Sequence, residues 1–305
     1  QLPSHVLVLA GDHAYRMDYA AMLEGHLRSG AQVSVGCIRV PVDEARAFGV
    51  MQVDRDERIR RFTEKPVRPE PIPGHDDIAL ASMGIYLFDR DFLLDLLAVD
   101  AVDPRSSHDF GKDVIPTAIR NGLAYAYSLR DLRNPLRQGY WRDVGTIDAY
   151  RQANLEMAGD SPRLDPADAA WPVRTGARPA QAAPQRRGDR SIVADGCRTS
   201  GAELSRCVLF ADVHVGARSM LTGSVVLAGA TIGTRCAITN AVIEQGCEIP
   251  HGTVIGFDEE SDRERFHVAQ GGTVLVTPEA LQRRARIDER VPPRPAARAL
   301  RAAVW

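Results

Sequence analysis

Residues 208–258 decide the fold of the C-terminal half of this chain. In one-letter code they read VLFADVHVGARSMLTGS (208–224), VVLAGATIGTRCAITNA (225–241) and VIEQGCEIPHGTVIGFD (242–258). Val208, Val225 and Val242 are 17 residues apart, as are Val215, Ile232 and Ile249, and Leu221, Ile238 and Ile255. Within each period the apolar steps are about six residues. Three such steps per coil describe a triangular solenoid of short parallel strands, each stacking its apolar residue on the coil below. The three series run in phase and assign residues 191–282 to one solenoid domain.

Upstream, residues 159–190 place Pro162, Pro166, Pro172, Pro179 and Pro184 among Ala, Arg, Gly and Asp, the composition of a linker. Residues 1–158 alternate strand and helix. His5–Leu9 reads as a short buried strand ended by Gly-Asp. Asp18 caps a helix with the apolar face Tyr19, Met22, Leu23, His26 and Leu27, closed by Gly30. Residues 33–40, 84–88 and 124–129 read as strands. Residues 48–53 and 59–64 read as two paired strands around the turn Asp54-Arg55-Asp56-Glu57. Helices are expected near 92–97, over 111–121 and over 146–158, the last capped by Thr146. Strands alternating with helices imply an α/β domain with a mostly parallel sheet covered on both faces. Residues 283–305 are rich in Arg, Ala and Pro and read as a solvated tail.

A length of 305 residues favours two domains, and 44% hydrophobic residues suffice for real cores. The net charge of -2 supplies no global field toward nucleic acid or an anionic membrane. No apolar run approaches the roughly 18 residues of a membrane span, and no signal-peptide pattern is read. The five cysteines, Cys37, Cys197, Cys207, Cys236 and Cys247, show neither CxxC nor metal-ligand spacing. They read as reduced thiols of a cytoplasmic protein. The first residue is Gln1, three residues before an apolar strand, so further residues are expected upstream.

Only two of the thirty-eight basic residues are lysines, Lys65 and Lys112. A chain that uses Arg by default keeps Lys where a compact, flexible ammonium does what a planar guanidinium cannot. Both lie in dense motifs, Phe62-Thr63-Glu64-Lys65-Pro66 and His108-Asp109-Phe110-Gly111-Lys112-Asp113. Two more segments share that character: Leu9-Ala10-Gly11-Asp12-His13 and Trp141-Arg142-Asp143-Val144-Gly145-Thr146.

Asp12 follows a strand through Gly11, and ligands of open α/β sheets bind beyond the carboxyl ends of strands. Asp12 and Asp143 are either turn and capping residues or a converging pair of carboxylates that holds one Mg²⁺. Glu64 is either an exposed strand end or an acceptor for sugar hydroxyls, and Lys65 is suited to pairing with a phosphate. Ser82, Tyr86, Asp109 and Phe110 offer further sugar contacts. Trp141 is either a core residue or a flat wall for a sugar ring.

Taken in order, these segments resemble bacterial ADP-glucose pyrophosphorylase (glucose-1-phosphate adenylyltransferase). The similarity rests on 9–13, 47–51, Glu64-Lys65-Pro66, 81–86, Ser106-Ser107-His108-Asp109-Phe110-Gly111-Lys112-Asp113 and 140–146. It continues through Trp171-Pro172-Val173-Arg174-Thr175, the solenoid and 272–277. The resemblance implies a Rossmann-like nucleotidyltransferase domain followed by a left-handed β-helix of hexapeptide repeats. It implies Asp12 and Asp143 as ligands of a catalytic Mg²⁺, and Lys65 on the phosphate of glucose 1-phosphate. Gly49, Glu64, Ser82, Tyr86, Asp109, Phe110 and Trp141 would line the glucose pocket. The sugar phosphate would attack the α-phosphate of ATP in line and expel pyrophosphate. The family is a homotetramer controlled by allosteric metabolites, and it feeds ADP-glucose to glycogen synthesis.

The family also places a Gly-Gly-x-Gly-x-Arg-Leu loop ahead of these motifs, and no such segment occurs in the 305 residues. The expectation is therefore an N-terminally truncated transferase domain. Two readings from outside this activity remain open: a non-catalytic regulatory or assembly subunit, and a hexapeptide acyltransferase using His214 or His251. Another sugar-nucleotide pyrophosphorylase is the enzymatic alternative.

Overall fold

The computed structural model describes residues 2–159, 162–165, 168, 185–187, 190–199 and 201–283. Most of the expected linker, including the 171–175 motif, and the tail beyond 283 lie outside the described residues. The chain divides into two compact units, Gln1–Asp143 and Val144–Trp305.

The first unit runs β1 (His5–Val8), β2 (His13–Tyr15), α1 (Tyr19–Ser29), β3 (Val33–Pro41), α2 (Val42–Ala45), β4 (Gly49–Val53), β5 (Ile59–Glu64), β6 (Ile78–Asp89) and α3 (Arg90–Asp100). A π-helical turn (Phe110–Val114), α4 (Ile115–Asn121), β7 (Ala124–Ser128) and β8 (Trp141–Asp143) complete it. The main sheet has the order β5-β4-β6-β3-β7, with β1 paired to β6 beside β4.

The α/β class holds, but the expected mostly parallel sheet is corrected to a mixed one. Among the described pairings of this sheet only β3–β7 is parallel. The β1–β6, β3–β6, β4–β5 and β4–β6 pairs are antiparallel. β1, β3, β4 and β7 run in one direction, and β6, which sits among them, runs against it, so most neighbouring strands are antiparallel. Between β3 and β6 the chain inserts the β4–β5 hairpin, which brings it back antiparallel.

Both faces of the sheet are covered. One face packs Val33, Val35, Met51 and Phe88 with Leu93, Leu96 and Ile115. The other packs Val50, Met83, Ile85 and Leu87 with Met22 of α1 and Trp141. The expected α1 is present with its cap: Asp18 Oδ1 accepts from the amides of Ala20 at 2.9 Å and Ala21 at 3.2 Å. Gly30, at φ 64°, closes the helix in the left-handed conformation that glycine adopts without strain. Of the expected apolar face, Met22 and His26 are buried, while Tyr19 and Leu27 are exposed. β1 is half-buried along its length rather than buried. The helix expected over 111–121 is the π-helical turn followed by α4.

The second unit opens with α5 (Ile147–Met157), capped by Thr146 as expected. The sequence boundary at 158 and the unit boundary at Asp143 therefore differ by this helix. Leu155 and Ala158 pack on Ile192, Val208, Val225 and Val242. Arg151 donates to the carbonyl of Gly223 at 2.8 Å and to Thr273 Oγ1 at 3.0 Å. Asp148 accepts from the amides of Gly271 at 2.7 Å and Thr273 at 3.2 Å.

The solenoid registers repeat the 17-residue period. Val208 pairs with Val225 and Val225 with Val242. The Val215–Ile232–Ile249 and Leu221–Ile238–Ile255 columns stack likewise. The latter two columns fill the lumen together with Leu209, Val226 and Ile243. The valine column turns outward to α5 instead. Helix α6 (Glu259–Arg265) and a final strand, Val274–Val276, parallel to Ala241–Ile243, close the domain. Cys207, Cys236 and Cys247 are buried in this core, and all five cysteines are free thiols. Among the described residues no helix is long and apolar enough to cross a membrane.

Candidate active site

The short pair β2–β8 brings together two segments that lie far apart in the chain. Its antiparallel register sets His13 opposite Asp143, Ala14 opposite Arg142 and Tyr15 opposite Trp141. Asp143 thereby arrives beside Asp12, the residue before β2. His13 reports the charge of both: burial lowers its pKa, while the carboxylates of Asp12 and Asp143 oppose that shift. Its Nε2 lies 3.5 Å from Asp12 Oδ1. Two carboxylates brought to one side of a buried imidazole form an oxygen pair of the kind that suits a hard cation.

Trp141 is buried rather than an exposed platform, with 4% of its surface accessible. Its ring meets His13 edge-on at 5.0 Å and Phe48 edge-on at 5.2 Å. The indole Nε1 and His13 Nδ1 are both buried without a hydrogen-bond partner among the described residues. Leaving such a donor unpaired costs about 1–3 kcal/mol. Gly84, at φ 65°, passes close beneath: a Cβ there would lie 3.2 Å from His13 Cε1.

Phe48 leads directly into the second half of the site. Its carbonyl accepts from the Lys65 amide at 3.1 Å, which helps hold Lys65 at φ 45°. For a residue with a Cβ that backbone costs about 1–2 kcal/mol and fixes the direction in which the side chain leaves. The Lys65 side chain is exposed, with Nζ 3.9 Å from Glu64 Oε1. Burial pushes the Glu64 carboxyl above its ordinary pKa and the charge of Asp109 adds to this, against Lys65 and Lys112.

Two glycines leave room for that carboxylate. A Cβ on Gly111 would lie 2.6 Å from Glu64 Oε2, and one on Gly49 would lie 2.9 Å from it and overlap the Phe62 ring. Tyr86 stacks on Phe110, with centroids 5.8 Å apart and planes 12° from parallel. Burial raises the Tyr86 pKa, a hydrogen bond with Ser82 lowers it, and the Glu64 and Asp109 charges raise it further. Ser82 Oγ also accepts from the Gly84 amide at 3.2 Å.

The loop carrying Asp109 is tied down by its own acids. Asp113 accepts from the amides of Ser107 and Asp109, both at 3.1 Å, and from Ser107 Oγ at 2.7 Å. Asp109 Oδ1 in turn caps the π-helical turn through the Lys112 amide. His108, at φ 57°, pairs with Asp100 at 2.8 Å.

The structure thus joins the expected Asp12 and Asp143 at one end. Gly49, Glu64, Lys65, Ser82, Tyr86, Asp109 and Phe110 gather at the other, linked by Phe48 and Gly84. Three contributors were not assigned from sequence: His13, Phe48 and Gly111. Each sits inside or beside a dense motif, and that density was the available signal.

A nucleotidyltransferase-type α/β unit joined to a hexapeptide solenoid defines the class. A nucleotidyl transferase family model matches residues 1–159, and a GlmU-like C-terminal hexapeptide model matches 176–276. The chain is 44% identical over 291 residues to glucose-1-phosphate adenylyltransferase of Paramagnetospirillum magneticum, covering 92% of this chain and 68% of that protein. It is 49% identical over 287 residues to glucose-1-phosphate adenylyltransferase 2 of Alkalilimnicola ehrlichii, with the same coverage. The Methylococcus capsulatus enzyme of the first name is 46% identical over 292 residues. This chain belongs to the glucose-1-phosphate adenylyltransferase family. Membership sets aside the acyltransferase reading; His251 is exposed and hydrogen-bonded to Thr234.

Proposed function

We propose that this chain carries the reaction centre of a glucose-1-phosphate adenylyltransferase, which joins ATP and glucose 1-phosphate to give ADP-glucose and diphosphate. The observation that supports it most directly is the β2–β8 register, which delivers Asp143 to Asp12. The chemistry is in-line displacement at the α-phosphorus of ATP by a phosphate oxygen of the sugar phosphate. Such transfer rests on positioning and on neutralising charge.

Asp12 and Asp143 are the oxygen pair that would hold Mg²⁺. Their hard donor set fits that ion, which when bound would neutralise charge on the reacting phosphates. Lys65, aimed by its left-handed backbone, pairs with the phosphate of glucose 1-phosphate as a point charge. Glu64 and Asp109 accept from sugar hydroxyls, and Gly49 and Gly111 keep the Glu64 carboxylate in place. Ser82 and Tyr86 complete the polar wall, with Phe110 behind Tyr86. Trp141 offers its unpaired Nε1 donor rather than its face.

By the same family reading the protein acts in glycogen synthesis in the cytoplasm, as a homotetramer under metabolite control. The test is ADP-glucose formation with ATP, glucose 1-phosphate and Mg²⁺. Asp143→Asn should lower turnover by about 10³-fold or more while circular dichroism stays unchanged. A folded Asp143→Asn protein with ordinary turnover would remove the carboxylate pair from the reaction.

A further inference from the structure

A second constellation lies in the first unit, apart from the residues assigned above. Asp89 ends β6 and stands at the N-cap position of α3, yet its side chain makes no capping hydrogen bond. An aspartate there ordinarily stabilises its helix by capping. Here the carboxylate turns to two imidazoles instead. The β1–β6 register pairs His5 directly with Asp89. His26 reaches in from α1 and is 1% exposed. His5 Nε2 and His26 Nε2 each lie 3.3 Å from Asp89 Oδ1. The three donor atoms all lie within 4.8 Å of one another.

The second nitrogen of each ring is already engaged. His26 Nδ1 meets Ser34 Oγ at 2.9 Å, and His5 Nδ1 meets Ser4 Oγ at 2.9 Å. Outer partners of this kind fix ring orientation and point the remaining nitrogen inward, as they do around metal-bound histidines. The rings are edge to face, 5.3 Å apart and 86° from parallel, so neither blocks the other's lone pair.

The 3.3 Å separations are long for a charge-assisted hydrogen bond, which prefers about 2.7–2.9 Å. They do match the edge of a coordination tetrahedron. With metal–ligand bonds of about 2.0–2.1 Å, adjacent ligands stand about 3.3–3.4 Å apart.

We propose that His5, His26 and Asp89 form a site for a divalent transition-metal ion of the Zn²⁺ type, clamping the ends of β1 and β6 to α1. Two imidazoles and one carboxylate suit Zn²⁺ or Co²⁺, whereas Mg²⁺ prefers oxygen donors throughout. The side chain of Asp89 is 42% exposed, which leaves the fourth position open to water and gives the ion a path in. The site is chemically distinct from the oxygen pair Asp12 and Asp143, and it stands whether or not those residues act in catalysis.

The test is direct binding by the full chain, stripped with chelator. Asp12→Asn and Asp143→Asn are built in so that the oxygen pair takes up no ion. Co²⁺ is added and followed by its visible ligand-field absorption, then displaced with Zn²⁺. One equivalent should bind with the spectrum of a four-coordinate, imidazole-containing site. His5→Gln, at the accessible ligand, should weaken binding roughly tenfold or more, since even outer-partner losses cost 10–100-fold. Asp89→Asn should do the same, and it guards against a folding defect in either variant alone. No uptake at stoichiometric Co²⁺, or uptake unchanged in both variants, overturns the proposal.

Discussion

Gly111→Ala separates a structural glycine from one that serves the substrate. Its new Cβ would lie 2.6 Å from Glu64 Oε2, 2.9 Å from Glu64 Cδ and 3.4 Å from Asp109 Oδ1. Ordinary carbon contacts begin near 3.5 Å, so the Glu64 carboxylate must retreat by about 1 Å. The obstructing atoms are the end of a flexible side chain, and pushing it off its rotamer costs about 0.5–1.5 kcal/mol. Against this, alanine gains up to about 1 kcal/mol over glycine inside a helical turn. The two nearly cancel, so the melting temperature should move by no more than about 4 °C. Binding has no such compensation. A hydrogen bond from a sugar hydroxyl to a carboxylate is worth about 1.5–3 kcal/mol, so losing it should raise the KM for glucose 1-phosphate about 10- to 150-fold. The KM for ATP should hardly change. Gly49→Ala differs in stability: its Cβ would also crowd Glu64 Oε2 at 2.9 Å, but it overlaps the Phe62 ring, which packs against the core, and should cost about 1–3 kcal/mol of stability besides. Steady-state kinetics with each substrate varied, beside thermal unfolding, reads both effects. If Gly111→Ala leaves the glucose 1-phosphate KM within about twofold of wild type, the placement of Glu64 against the sugar is wrong.

Lys65→Gln should raise the KM for glucose 1-phosphate about 10- to 100-fold with a far smaller effect on ATP; equal effects on both would remove Lys65 from the sugar phosphate. Glu64 has its pKa raised, chiefly by burial. Its contribution to stability is therefore full below the ordinary carboxylate pKa of about 4.3 and is lost as pH rises through the raised value. Glu64→Gln should accordingly melt higher than wild type at pH 7, with the gap closing toward pH 4, even as sugar binding weakens; a lower melting temperature at neutral pH contradicts this. Asp148 has the opposite sign. Burial pushes its pKa up, but hydrogen bonds from Thr273 and Gly271 outweigh that and hold it below the usual range. It stabilises above about pH 4 and the benefit fades as pH falls through the lowered value. Asp148→Asn should lower the unfolding temperature at pH 7 and converge with wild type in acid, and a difference independent of pH would refute the assignment.

The solenoid was legible because stacking forces identity of phase. Every coil must put an apolar residue over the one beneath, so Val215, Ile232 and Ile249 announce themselves by spacing alone. Helix α1 was legible through Asp18 and Gly30, whose side chain and backbone act locally. The sheet direction was not, because alternation of strand and helix does not record that a hairpin turns the chain back before β6. The site residues of the dense motifs were readable as a set, yet their meeting was not. β2 and β8 are three residues each, too short for any periodic signal, and only their pairing brings Asp143 to Asp12. The His5, His26 and Asp89 cluster likewise depends on the β1–β6 register and on which face of α1 turns inward. Nothing in their sequence neighbourhoods marks them as partners.

The coil period restricts how the C-terminal domain can change length during evolution. Each turn advances by one strand spacing, about 4.8 Å. Deleting 225–241 would bring Val242 onto Val208, Ile249 onto Val215 and Ile255 onto Leu221, and the lumen would remain filled. Deleting a single residue within a strand would instead turn every later apolar side chain of that strand outward. Viable size variants therefore form a ladder with rungs of one whole coil, and relatives with a solenoid shorter or longer within this region should differ by 17-residue steps.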